Sequence, residues 1–281
     1  MKKTVFLLSV VLIFASCKSN SKGKQSESSG EVELSDSICA ESSEIALPET
    51  VKLLKSITTD GICIEEFEYD DENRIVKINY FGEYINMITY KSGDLITIET
   101  VFPENTERKD VINYVKKGNT ITLNFIRHPL DNAASITLDK DENIAKNETV
   151  GETEGDSWTT SFIYQYRNGN LSKMTSGTYF TYDTSETVYE YKYDDKKSLF
   201  HNCASPKWLI QYLIDSNYTS KNNVVERTSN NEQSVVKTSR NKYEYEYDSD
   251  GFPIKETMTE EYYHNGEEHT NTTITYFIFN Q

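Results

Sequence analysis

The sequence predicts an all-β protein, an antiparallel meander of about 14–16 strands that closes into a barrel. From Val51 onward, apolar and polar residues alternate with the period of two that is typical of half-buried strands. Turn signals interrupt this alternation at intervals of roughly two dozen residues, which is the length of one hairpin. Such intervals leave no room for crossover helices, so neighbouring strands are expected to pair antiparallel.

Closure of the sheet follows from the number of strands. Strongly twisted open sheets rarely exceed about ten strands without curling or splitting. A barrel also removes the free edges that would otherwise let strands rich in Tyr and Thr pair with other chains.

The amino terminus has the pattern of a secretory signal. Lys2 and Lys3 precede an apolar run from Val5 to Phe14, and Ala15-Ser16-Cys17 follows. About ten apolar residues are too few to cross a bilayer. Residues 1–16 are therefore predicted to be a lipoprotein signal peptide, with Cys17 as the lipid attachment site at the start of the mature chain.

Residues 17–50 are predicted to be a flexible tether. They are rich in Ser, Glu, Lys and Gly, and they carry too few large apolar groups to offset the entropy of ordering the chain. The β-barrel domain is then expected to span residues 51–281. Two or three acyl chains on Cys17 would hold this domain at a membrane surface.

The charge of the mature chain argues against nucleic-acid partners. Processing at Cys17 leaves 27 basic and 45 acidic side chains, a net charge of −18. Nucleic acid and anionic headgroups would repel such a chain. Solubility is the simplest role of this charge, although cationic partners or divalent ions are compatible with it.

The alternating runs assign the strand faces. Each run places apolar or aromatic residues on one face and charged or polar residues on the other. The stripes of the first kind are Tyr189, Tyr191 and Tyr193; Tyr243, Tyr245 and Tyr247; and Ile121, Leu123 and Phe125. Tyrosine rows suit a wide barrel whose inner wall is partly wet, and they could also stack on sugars or peptides.

The connections are rich in Asp, Asn and Gly, which tolerate the positive φ of tight turns. One of them, Asp139 to Asn143, begins like a calcium loop. Ile144 and Val150 stand where an EF-hand needs Gly and Glu. The aspartates are therefore predicted to bind nearby backbone amides.

One segment departs from the strand pattern and predicts a short helix near residues 205–215. Ser205 could cap it and Pro206 could occupy the first helical position. Its apolar face, formed by Trp208, Leu209, Tyr212 and Leu213, would plug or cap the mouth of the barrel.

Few residues have the spacing of a metal or redox site. With Cys17 lipidated, Cys39, Cys63 and Cys203 allow at most one disulfide, and Cys63 with Cys203 is the candidate pair. In the last hairpin, a two-residue turn at Asn265-Gly266 would bring together His264, Glu267 and His269. They are a weak metal candidate, and a solvated hairpin tip is the simpler interpretation. His128 and His201 have no recognisable catalytic partners.

Three segments carry a resemblance to a known family. They are residues 67–78, residues 245–255 with a Gly-Phe-Pro hairpin, and Ser220-Lys221-Asn222-Asn223. From about Val51 to Gln281 the chain resembles DUF4595, a family of unknown function whose members are mostly Bacteroidota lipoproteins with a porin-like fold. The resemblance implies a closed sheet and a cell-envelope location, and it implies no reaction, cofactor or catalytic residue.

In lipoproteins of this type, acidic residues directly after the lipidated cysteine mark export to the cell surface. Lys18, Lys22 and Lys24 come first here. The resemblance therefore favours the periplasmic face of the outer membrane.

The expected function is a non-catalytic binding module, without a cofactor, for a glycan, peptide or small ligand. The sequence holds no Gly-rich phosphate loop, zinc-protease helix or nucleophile elbow. The alternatives are a membrane-inserted barrel, a carboxylate-dependent hydrolase and an assembly partner in an envelope complex. Against membrane insertion, Thr, Asn, Glu or Lys interrupts both faces of the strands and the mean hydropathy is −0.64.

Overall fold

A computed structural model describes residues 51–91, 95–126, 133–153, 156–180, 183–214, 216–231, 238–264 and 267–280. The predicted signal peptide and tether, with Cys17 and Cys39, lie outside these residues, as does His128. Within them the chain forms sixteen strands and one helix. The strands are β1 (Leu54–Thr59), β2 (Ile62–Tyr69), β3 (Ile75–Tyr80), β4 (Tyr84–Tyr90), β5 (Leu95–Phe102), β6 (Asn105–Lys117), β7 (Thr120–Phe125), β8 (Ala133–Leu138), β9 (Ile144–Thr153), β10 (Asp156–Arg167), β11 (Asn170–Phe180), β12 (Thr184–Tyr193), β13 (Val224–Asn230), β14 (Thr238–Tyr247), β15 (Pro253–His264) and β16 (Glu267–Phe279). The helix is α1 (Lys207–Leu213).

The sheet is a closed barrel of sixteen antiparallel strands. Each strand pairs with its neighbours along the chain, and β1 closes the ring by pairing with β16, Ile57 opposite Phe277. The predicted meander, its strand number and its closure are confirmed.

An up-and-down barrel has two distinct ends. At one end lie the chain start, the chain end and the connections that leave even-numbered strands. The long connection between β12 and β13, residues 194–223, belongs to this end and contains α1, so we call it the plugged end. The connections that leave odd-numbered strands lie at the opposite end, which we call the open end.

The register shows which residues face the lumen. Tyr243 and Tyr191 on the predicted stripes are 4% and 8% exposed, and Ile121 is fully buried. Because directly paired residues share a face, this orientation propagates around the barrel. The aromatic and aliphatic stripes face inward, and the charged residues between them face outward.

Four turns at the plugged end have one construction. In each, the first aspartate accepts backbone N–H bonds from residues farther along the turn, which pins the chain reversal. The aspartates are Asp70, Asp139, Asp194 and Asp248. In three of these turns the residue before the last has a positive φ: Asn73, Glu142 and Gly251.

The turn between β12 and β13 is the same turn interrupted by an insertion. Asp194 Oδ1 accepts a bond from the Lys196 amide at 3.0 Å, as in the other turns. Its second amide comes from Asn223, far along the chain, at 3.1 Å. The Asp194 amide in turn donates to the Asn223 carbonyl. The segment between Lys196 and Asn223 is thus an insertion in the β12–β13 turn, and the residues on either side of it remain hydrogen-bonded to each other.

The inserted segment enters the barrel and fills the plugged end. Trp208 is 3% exposed and Leu209 is 1% exposed, and both join the core formed by the inward faces of the strands. The ring of Tyr114 lies between those of Trp208 and Tyr212, at 5.8 and 5.5 Å. The predicted helix and its role as a plug are confirmed.

The predicted helix cap is wrong. Pro206 is the N-cap of α1, and no side chain caps the helix. Ser205 is instead used in a tertiary contact, because its Oγ accepts a bond from the Ile75 amide at 2.8 Å and lies 3.0 Å from the Tyr90 hydroxyl. Asp215, the predicted last residue, lies outside the described residues.

Replacing Trp208 by Ala should lower the free energy of unfolding by about 3–5 kcal/mol, since it empties the space between the plug and Tyr114. Urea denaturation followed by circular dichroism measures this change. Lys207→Ala, at the exposed neighbouring residue, is the matched control and should change stability by less than about 0.5 kcal/mol. Equal stability of the two variants would contradict the plug.

Candidate binding cavity in the open half of the barrel

The lumen changes character along its axis. On the inward face of β16, Phe277 and Thr275 are each 4% exposed, Thr273 is half-buried, and Asn271 is exposed. Over these four positions the exposed fraction rises in the direction of the open end. The lumen is therefore filled on one side and accessible to water on the other, and the accessible part is the candidate site.

The floor of this cavity contains a buried carboxylate. Glu256 on β15 faces inward and is 2% exposed. The hydroxyls of Tyr245 and Tyr218 donate to its two oxygens at 2.8 and 3.3 Å. Burial, and then the negative charge of Glu256, raise the pKa of Tyr245 far above its usual value. Two tyrosines from different segments thus hold this carboxylate in place.

Above the floor, Arg227, Asn241 and Glu260 form a row across β13, β14 and β15, and all three face inward. Asn241 is 2% exposed, and its Nδ2 lies 3.3 Å from Met258 Sδ. Its Oδ1 has no donor among the described residues. A buried amide oxygen without a donor costs about 1–3 kcal/mol, so this atom is a natural acceptor for a bound group.

Aromatic rings lie closer to the open end. Tyr262, the next inward residue of β15, stacks on His269 with ring centroids 5.2 Å apart. Trp158 faces inward from β10, opposite Gly151 of β9. Rings of this kind give a polar cavity flat apolar surfaces on which a ligand can rest.

The weak metal candidate lies on this rim. The register pairs His264 with Glu267 and Tyr262 with His269, so the predicted pairing of the last hairpin is confirmed. Tyr262, Glu267 and His269 lie on the inward face. The His264 side chain lies outside the described residues. Among the side chains that are described, no group of three or more His, Cys, Asp or Glu could hold a metal.

Acidic groups outnumber basic ones on the inward face of the open half. Among the described side chains, the acids are Glu65, Asp110, Glu256, Glu260 and Glu267, and the bases are Arg108 and Arg227. Arg108 lies 3.2 Å from Asp110 and 3.9 Å from the centroid of the Phe102 ring. Since Arg108 is paired with Asp110, the remaining wall has an acidic bias.

The outer wall carries ion pairs between neighbouring strands. Lys77 bonds Glu68 at 2.7 Å and Lys255 bonds Glu246 at 2.6 Å. Similar outward pairs are Lys109–Glu99, Lys242–Glu261, Lys192–Glu226 and Arg240–Glu226. Hydrogen bonds from Lys192 and Arg240 hold the pKa of Glu226 below its usual value. Charged pairs thus occur on widely separated strands.

In the described part of the chain, no helix combines the length and the apolar character needed to cross a bilayer.

A second cleft lies at the plugged end, beside the insertion, with a volume of about 270 Å³. His201, Cys203, Lys207 and Lys221 contribute to its lining. His201 packs its ring edge-on against Phe252, with centroids 6.1 Å apart. No catalytic partner of His201 is evident among the described lining residues.

The candidate disulfide is not made. Cys63 and Cys203 are both free thiols. Cys63 lies near the β1–β2 turn at the open end, whereas Cys203 lies in the insertion at the plugged end, so the barrel separates them. Burial raises the pKa of both thiols.

The turn that begins like a calcium loop is explained by backbone bonds. Asp139 Oδ1 accepts from the amides of Asp141 and Asn143 at 2.8 and 2.9 Å. Asn143 Nδ2 adds a bond to Asp139 Oδ2 at 3.1 Å. The predicted role of the aspartates as turn-forming residues is confirmed.

Comparison with known proteins adds little to these observations. No family model and no curated protein matches the chain. Two solved structures similar to it are a porin-like protein from Bacteroides uniformis ATCC 8492, with 11% identity and a TM-score of 0.37, and a porin-like protein from Bacteroides vulgatus ATCC 8482, with 15% identity and a TM-score of 0.39. Each match covers 81% of this chain, and 98% and 99% of the respective structures. The fold assignment rests on the strand pairing itself.

The sequence reasoning missed the cavity residues Asn241, Glu256 and Glu260. The alternation that placed Tyr243 inside also places Asn241 inside, because the two residues are two positions apart in one strand. For Glu256 and Glu260, the available signal was the turn at Asp248, because the turn decides which residues of β15 pair with which residues of β14. Neither signal reveals which side chains meet across the lumen.

Removing the Asp139 carboxylate should lower the free energy of unfolding by about 1–2 kcal/mol, since it leaves the Asp141 and Asn143 amides without their acceptor. Asp139→Ala and the control Asp141→Ala, at an exposed side chain, are compared by urea denaturation. Added calcium should not shift the urea midpoint of either variant or of the parent chain. A calcium-dependent midpoint in the parent that Asp139→Ala removes would contradict this explanation.

The buried tyrosines predict alkaline unfolding. Burial raises the pKa of Tyr90 and Tyr164 to about 12 from the usual 10.0. Since the native state keeps these protons longer than the unfolded chain, stability is full below pH 10 and falls as the pH rises towards 12. The near-ultraviolet absorbance of tyrosinate and circular dichroism, recorded together, should show these tyrosines ionising with unfolding. Full ionisation with an intact barrel would refute the prediction.

Proposed function

We propose that the chain is a lipid-anchored, non-catalytic binding protein of the cell envelope, whose ligand enters the open half of the barrel. The observation that carries this proposal is the asymmetric lumen, which is packed around α1 at one end and lined with half-buried polar and aromatic groups at the other. Concave sites with a few convergent polar groups on a rigid wall are the usual form of ligand pockets.

The membrane attachment is proposed to be Cys17, with residues 1–16 removed as a signal peptide. The folded chain begins at the plugged end, where the Leu53 amide donates to Asn280 Oδ1 at 2.6 Å and Lys52 bonds both Asp248 and Asp250. The described chain thus starts at the plugged end, opposite the end at which the ligand is proposed to enter. The periplasmic face of the outer membrane and membership of DUF4595 are part of the same proposal.

The outer wall supports a barrel that stays in water. In a membrane-inserted barrel, a charged side chain facing lipid costs about 2–4 kcal/mol near the bilayer midplane. The outward ion pairs on β2–β3, β5–β6 and β12–β15 would place charged side chains on such a lipid-facing wall. Water is the solvent that suits this surface.

The anchor is tested by metabolic labelling with a clickable fatty acid in a bacterium that processes lipoproteins. The parent chain should be labelled, and Cys17→Ser should not be. Cys39→Ser is the matched control and should keep the label. An unlabelled parent chain would contradict lipidation, whatever the outcome for the barrel.

Solubility is tested separately by exchanging residues 1–17 for a cleavable leader that carries no lipidation cysteine. The released chain should be monodisperse in buffer without detergent and should keep its strand signal in circular dichroism. A chain that folds only in detergent micelles would instead favour the membrane-inserted barrel.

A further inference from the structure

We propose that the open half of the lumen binds a cationic ligand, and that Asn241 and Glu260 receive its protonated amine. This inference rests on the proposed binding function and names the class of ligand. It follows from three independent features of the cavity: a buried acceptor, the charge around it, and the aromatic surface above it.

The buried acceptor is Asn241 Oδ1. The side chain is 2% exposed, faces the lumen, and has its Nδ2 directed to Met258 Sδ, so the amide orientation leaves Oδ1 as the atom that needs a donor. Glu260, opposite Asn241 in the register of β14 and β15, offers a carboxylate beside it. Among the described residues, Glu260 makes no ion pair. One amide oxygen and one carboxylate together suit a group that only donates.

The charge around Asn241 selects a cation. Glu260 on β15 lies directly opposite Asn241 on β14. Glu256 lies two inward positions closer to the plugged end on β15, opposite Tyr245. Arg227 lies on β13, on the opposite side of Asn241 from β15. Its guanidinium is directed to β12, where it lies 5.9 Å from the Tyr189 ring, and so away from β15. A carboxylate or phosphate ligand placed between Asn241 and β15 would face the Glu260 carboxylate, with Glu256 four residues away along β15, whereas an ammonium group would be attracted by Glu260.

The rim of the open end is also acidic. The described connections and strand ends at the open end carry the acids Asp60, Glu83, Glu104, Asp183, Glu267 and Glu268. Like charges at the mouth of a cavity with low-dielectric walls raise the local concentration of ligands of opposite sign. The stacked rings of Tyr262 and His269 lie one inward position above Glu260, and the face of Tyr262 can contact an alkylammonium chain.

The ligand class is therefore a flexible primary amine with more than one cationic group, that is, a polyamine. Its ammonium group would donate to Asn241 Oδ1 and Glu260, and its methylene chain would lie along the aromatic rim. No covalent step is involved.

Isothermal titration calorimetry of the mature, full-length chain in nonionic micelles tests the inference, with spermidine as the cationic probe. Citrate is the anionic probe and a tetramer of N-acetylglucosamine is the neutral one. We expect spermidine to bind with a stoichiometry of one. Asn241→Leu should weaken this binding by about tenfold, although the net charge stays the same.

Three further variants separate a site from diffuse attraction. Glu260→Gln should also weaken spermidine binding by about tenfold, whereas Glu244→Gln, on the outer face of the adjacent strand, should leave it unchanged. Asn241→Asp keeps the size of the side chain and adds a negative charge, so it should tighten binding. This opposite change keeps the test decisive if Asn241→Leu folds poorly.

The outcomes distinguish this inference from the proposed function. Spermidine binding that Asn241→Leu, Asn241→Asp and Glu260→Gln do not alter would overturn the inference. Saturable binding of the sugar or of citrate, without spermidine binding, would overturn it while supporting a binding cavity. No binding of any probe would count against both.

Discussion

The width of a sixteen-stranded barrel is the constraint on which the rest of this structure depends. About eight strands enclose a space that wall side chains can fill, whereas sixteen leave room for water or for another segment of chain. This protein uses both solutions. Its insertion, with Trp208 and Leu209 at the centre, fills one half. The other half is lined with polar and aromatic groups whose exposure rises towards the open end.

The insertion that forms the plug begins and ends within an aspartate turn of the same kind as the other turns at the plugged end. Asp194 and Asn223 make the bonds that Asp139 makes within one short loop, so the insertion does not disturb the pairing of β12 with β13. Polar contacts then fasten the insertion to the rim on opposite sides. Ser205 binds the Ile75 amide, and Ser220 binds the Leu171 amide at 3.1 Å. Filling half of the lumen in this way creates the floor, which contains Glu256 and above which Asn241 lies.

Most of the fold could be predicted from the sequence because strand period and turn chemistry are local. Stripes such as Tyr243 and Tyr245 fixed the inward face, and the Asp-rich turns marked the hairpins of the plugged end. The error concerns a tertiary contact, since Ser205 was expected to cap α1 but binds the Ile75 amide. The disulfide that the sequence left open is also decided by tertiary structure, because Cys63 and Cys203 lie at opposite ends of the barrel. The cavity escaped prediction for the same reason, since groups that meet across a lumen come from strands far apart in the chain.

The central claim is that the lumen is dry on one side of its floor and wet on the other. Thr273 and Thr275 face the same lumen from one strand, half-buried and 4% exposed respectively. The decisive measurement is the rate at which a small cationic methanethiosulfonate modifies Thr273→Cys and Thr275→Cys in a chain whose native Cys39, Cys63 and Cys203 are replaced by serine. Rapid modification of Thr273→Cys with little modification of Thr275→Cys is the result this account predicts. Equal protection of both positions in the folded protein would contradict it.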